Sequence, residues 1–187
     1  MINKEEAGIS WVAFDPGDLR HSRKHFENEI KKSANELGLN LKYLVTQQLS
    51  TPQRHEAYVA GFSESNDELI SNFKNKISTS MEIDETGFEQ EVIELFTISK
   101  QGRLAKFPTN IESFGKHSVS ELIANTAIEQ VLAVGQEIKD NAIVNTFGYV
   151  RPVMYEGKLT LFVEANYTGE FSPIEKAEPH RCCGEDH

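Results

Sequence analysis

The chain has 187 residues, 39% of them hydrophobic and 26% charged, with 29 acidic against 19 basic side chains and a net charge of -10. This is ordinary globular usage, which excludes collagen-like, low-complexity and generally disordered classes, and a fold of this size should bury about 70% of the surface its unfolded chain exposes. The negative charge argues against unaided binding to duplex nucleic acid, and no stretch reaches the roughly 18 apolar residues of a membrane-spanning helix.

Ile9 to Phe14 reads as a short strand, broken by Pro16-Gly17. Asp18 is an N-cap candidate for a helix running to Leu37, with Phe26, Ile30, Ala34 and Leu37 on one stripe and Gly38 as its stop. From Leu39 to Leu49 the apolar period changes to two, the mark of a half-buried strand. Thr51-Pro52-Gln53 suggests a turn, and Ala57 to Phe62 a returning strand. Ser65 and Glu68 have capping-box spacing ahead of a second helix carrying Leu69, Phe73 and Ile77.

Glu91 to Ser99 is rich in β-formers and reads as a strand. Gln101-Gly102 then turns into a short segment, Arg103 to Phe107. A strand at Glu91 to Ser99 in the same sheet would complete a ferredoxin-like, split-βαβ order over the first hundred residues. Ser118 and Glu121 repeat the capping-box spacing and open what reads as the most apolar helix, 120–138, either a central core helix or a homo-oligomer surface. Ala142 to Val150 and Lys158 to Tyr167 read as strands, with Glu156-Gly157 as a hairpin turn and Pro152 at an edge or bulge. The expected class is α+β: one domain over 1–168, a mixed or mainly antiparallel sheet against about three helices, and a tail over 169–187.

Cys182 and Cys183 are the only cysteines, so no disulfide joins distant segments. With His180 and His187 they form a cluster of zinc-type donors, although adjacent cysteines turn toward one ion less readily than C-x2-C pairs. A transition metal, zinc above all, would make this a metal-binding protein or metal-dependent hydrolase, with His21, His25 or His55 as further ligands. Thiol chemistry at Cys182 or Cys183 is a third possibility. Arg20, His21, Arg23, Lys24 and His25 form a basic turn suited to an anion or an acidic partner surface.

Glu82, Asp84, Glu85, Glu89, Glu91 and Glu94 run without an intervening cation, as an acidic face for a basic partner would. Phe147, Tyr149, Tyr155, Phe162 and Tyr167 could stack nucleic acid bases, but the chain's acidity favours core packing for them. No Walker-type, dinucleotide-type or G-x-S-x-G spacing occurs. The leading expectation is therefore a cytoplasmic, non-catalytic interaction protein (adaptor, inhibitor, immunity-type or accessory subunit) that docks a protein partner through charged surfaces.

Overall fold

In the computed structural model, residues 8–16, 23–49, 55–63, 66–81, 83, 89–99, 101–109 and 115–175 are described. They form an α+β fold with one mixed, open sheet and four helices. Strands β1 (Ile9–Phe14), β2 (Asn40–Leu49) and β3 (His55–Ser63) bracket helix α1 (Arg23–Glu36), with β3 antiparallel to both of the others and lying between them. That is the split-βαβ unit. Helix α1 ends in a Schellman motif, where Leu39 N–H donates to Ala34 O at 2.9 Å and Gly38, at φ +68°, donates to Asn35 O at 3.1 Å. The Asp18 cap and the 51–53 turn lie outside the described residues.

Helix α2 (Asp67–Met81) is capped by Asn66, whose Oδ1 accepts from Leu69 N at 2.8 Å. Ser65 lies outside the described residues. Phe26, Ile30 and Ala34 of α1 and Phe73 and Ile77 of α2 pack with Val12, Phe14, Tyr58 and Phe62 as a core on one face of the sheet.

The segment expected as a strand at Glu91 to Ser99 is instead helix α3 (Glu89–Thr97). Val92 and Phe96 are four apart, so both meet the opposite face of the sheet, against Val45, Val59 and Leu104. Glu89 and Glu91 in its first turn suit the helix dipole. Strand β4 (Arg103–Lys106) supplies the next strand and joins the outer side of β2, not β1, so the ferredoxin-like order is not completed.

Strand β5 (Lys116–Ser118) leads into α4 (Val119–Asn125), where Ser118 and Glu121 form the expected capping box. The helix expected over 120–138 stops there. Thr126 is extended (φ -135°, ψ 174°); its hydroxyl donates to Leu122 O at 2.7 Å and accepts from Ile128 N at 2.9 Å, redirecting the backbone. The chain then forms β6 (Gln130–Ala133), parallel to β9 (Lys158–Ala165). The apolar density that imitated a core helix belongs to Ile128, just before the strand, and Val131 within it, both in the core, while the rest of β6 is only partly buried. A homo-oligomer surface on a 120–138 helix therefore has no helix to carry it.

Strand β7 (Ile143–Asn145) is shorter than expected, because the chain turns at Phe147 and Gly148, both at positive φ. Strand β8 (Val153–Tyr155) and β9 form the hairpin across Glu156-Gly157, at φ +50° and +74°, as a two-residue hairpin turn with both residues left-handed requires. Strand β10 (Phe171–Pro173) extends the sheet past Thr168, giving the order β1-β3-β2-β4-β8-β9-β10-β7-β5 with β6 branching from β9. No helix among the described residues is long and apolar enough to cross a membrane.

Candidate functional site

The expected sites fare differently. His180, Cys182, Cys183 and His187, with Arg20, His21, Glu82, Asp84 and Glu85, lie outside the described residues, and no group of three or more metal-type side chains forms among those described. Arg23 is turned inward and makes a bidentate pair with Glu56, with Nε to Oε2 at 2.7 Å. Lys24 and His25 remain on the surface. His55 meets Asp15 at 2.9 Å. On α3, Glu89 pairs with Lys74 at 2.6 Å, while Glu91 and Glu94 face solvent beside Ile98, which is 71% exposed.

The densest gathering of charge was not legible in sequence, because its members are far apart in the chain. Arg151, buried where the chain approaches β8, donates from Nη2 to Glu27 Oε1 and to Thr46 Oγ1, both at 3.0 Å, and from Nη1 to Tyr149 Oη at 3.3 Å. Its Nε lies 3.7 Å from Glu175 Oε2. Burial opposes the guanidinium charge, but Glu27, Tyr149 and Glu175 outweigh it and leave the Arg151 pKa raised. The Arg23 guanidinium is likewise opposed by burial and held charged by Glu56.

Tyr58 sits in this group with its hydroxyl buried and without a hydrogen-bond partner among the described residues. Burial first, then Glu56 and Glu27, push its phenol well above the ordinary range, so it stays protonated. A buried hydroxyl without a partner costs about 1–3 kcal/mol. Tyr58→Phe is accordingly expected to raise stability by about 1 kcal/mol in urea unfolding; a loss would show that the hydroxyl bonds to something. The carboxylates and guanidiniums here neutralise one another across α1, β2, β3 and the approach to β8. They clamp the helix to the sheet.

The second feature is an open groove of ≈ 840 Å³ between two turns, Asn145 to Tyr149 and Glu164 to Glu170, with Ser172 and Pro173 also lining it. Phe147, expected in the core, is 66% exposed and held at φ +50°. Asn145 Oδ1 accepts from Phe147 N at 3.3 Å, and Tyr149 N donates to Thr146 O at 3.0 Å. A non-glycine residue in this region costs on the order of 1–2 kcal/mol, so the surroundings must hold the ring outward.

Opposite it, Tyr167 is fully exposed on a turn where Asn166 Oδ1 accepts from Thr168 N at 3.0 Å and Glu170 N at 3.1 Å. Both rims are thus ordered by an asparagine side chain. Glu164, Glu170 and Glu175 line the groove; Glu170 pairs with Lys116, and Glu175 pairs with Arg103 at 2.6 Å and lies against Arg151. The sequence singles out Phe147 and Tyr167 among a set of rings but favours core packing for them, because alternation marks which residues fit a sheet, not which aromatics a turn lifts out. The Phe147-Gly148 pair was the available signal.

No protein-family model, no curated protein and no solved structure matches the chain.

Proposed function

We propose that this chain is a non-catalytic interaction protein of the adaptor, inhibitor, immunity-type or accessory-subunit kind, which receives an extended segment of a basic protein partner in the groove between Phe147 and Tyr167. The observation that carries the reading is the pair of solvent-facing aromatic rings on opposed, locally ordered turns. Rigid aromatics bury large area on binding at little entropic cost and are enriched at the centres of protein interfaces. The net charge of -10, with the exposed Glu91 and Glu94, favours a partner carrying lysine or arginine through long-range attraction that raises encounter rate. With no disulfide joining distant segments, a cytoplasmic setting goes with this reading.

The test is a paired pull-down from native lysate at low and high salt, with the intact chain and with Phe147→Ala/Tyr167→Ala, read by mass spectrometry. The intact chain is expected to retain a basic protein at low salt. The double variant, with unchanged thermal unfolding, is expected to lose it by about tenfold or more, since each interface aromatic typically contributes about 1–2 kcal/mol or more. Equal recovery by both chains, or recovery of neither with any partner, refutes the groove as the docking site.

A further inference from the structure

A second pocket lies between β4, β5 and α4 and shares Thr146 with the wall of the groove. Its volume is ≈ 200 Å³, and its walls include Phe107, Leu122, Ile128 and Val150, all apolar. An isolated bridge between Thr109 and Thr126 ties the β4 side to the end of α4 beside it. Five polar residues complete the lining, three of them threonines (Thr109, Thr126 and Thr146) and the other two, Lys106 and His117, nitrogen-bearing. His117 Nε2 is buried and has no hydrogen-bond partner among the described residues. Lys106 also lines the pocket, and neither it nor the nearby Lys31 and Lys42 has an ion-pair partner among the described residues.

A cation and an imidazole nitrogen without a partner among the described residues, in a small chamber that also has apolar walls, are both completed by the same thing, an acceptor with negative charge on an apolar body. We propose that this pocket binds a small organic monocarboxylate with an aromatic or branched apolar body, its carboxylate held by Lys106 Nζ and His117 Nε2. The volume equals about six to seven waters, which suits a molecule of benzoate size and excludes nucleotides.

Independent support comes from Lys106 itself. Partial burial, followed by the charges of Lys31 and Lys42, holds its ammonium below the usual lysine range. An arriving carboxylate would relieve that burden, so binding gains from charge neutralisation as well as from the apolar walls. Lys31, Lys42 and Lys106 thus add positive potential at this end of the pocket, which attracts an anion. Lys106 stands at the surface end of the pocket, so its replacement leaves the core intact.

The experiment is titration of the full chain with sodium benzoate, following the imidazole ring resonances by NMR and the midpoint of thermal unfolding. Benzamide serves as the neutral isostere and inorganic phosphate as the plain anion. Saturable binding that moves the His117 ring signals, identified through His117→Gln, is expected for benzoate, with benzamide much weaker. Lys106→Met should weaken benzoate by about tenfold to a hundredfold, the range of a hydrogen bond to a charged group. Phosphate binding as tightly as benzoate would overturn the proposal in favour of a simple cationic surface. Unsaturable benzoate binding, or affinity unchanged by Lys106→Met and by Lys106→Gln, would overturn it altogether.

Discussion

Replacing Arg151 by methionine is expected to destabilise the protein by about 3–5 kcal/mol, because it leaves the largely enclosed Glu27 carboxylate without an ion-pair partner among the described residues and removes the donor to Thr46. Much of that loss comes from the abandoned acid, not from the pair itself. Glu27→Leu in the same chain should therefore recover most of it, since an apolar pair of similar volume is often as stable as a buried ion pair. Urea unfolding of both single variants and the double variant closes the cycle. A single-variant loss below about 1 kcal/mol, or a double variant no better than Arg151→Met, would show that the cluster is not what fastens α1 to the sheet.

Gly102→Ala should be nearly as damaging, by about 2–5 kcal/mol, on two separate grounds. Gly102 adopts φ +116°, which side-chain-bearing residues rarely take, and a Cβ there would lie 2.6 Å from Val45 Cγ1 and 2.7 Å from Gln47 Nε2. Val45 is wholly buried, so it cannot step aside. Gly38→Ala is the matched control, at φ +68° with no atom within 4 Å of the added carbon, and should cost only about 1–2 kcal/mol for the left-handed backbone. Equal losses in the two variants would mean that Gly102 is retained for its dihedral alone and that the contact with β2 is slack.

A local pattern reveals some of this molecule and conceals the rest. The Ser118–Glu121 capping box is a property of a few adjacent residues and appears as expected. The period-two reading of Leu39 to Leu49 found a strand but not a half-buried one: β2 lies between β3 and β4 with Tyr43 to Gln47 all buried, and the bulge between Leu41 and Tyr43 puts those two side chains in different cores. Composition misled at Glu89–Thr97: the β-formers Val92, Ile93 and Phe96 outweighed the four-residue spacing of Val92 and Phe96, which carries helical packing. The segment after Asn125 failed for the opposite reason. Its helical pattern was genuine in apolar density but was cut by the side-chain bonds of Thr126, and a parallel partner 30 residues away supplied the burial.

The site was less legible still. Arg151 and Glu27 are 124 positions apart, and Thr46 and Arg151 are 105 apart, so no window contains them. The exposed rings of Phe147 and Tyr167 depend on two turns whose asparagines bond locally, a signal present in Asn145 and Asn166 but indistinguishable there from any polar loop.

The position of β10 bears on how the chain matures during synthesis. Three residues, Phe171–Pro173, are inserted between β9 and β7, and in the strand order they are the link through which β7 and β5 join the rest of the sheet. The β1-β3-β2 unit can zip as soon as it leaves the ribosome, whereas the β5–β7 ladder must wait, edges open, until residue 173 has emerged. Late insertion of so short a wedge leaves that ladder open in the interval, and a released chain truncated just before Phe171 should be more protease-sensitive around β7 than around β3.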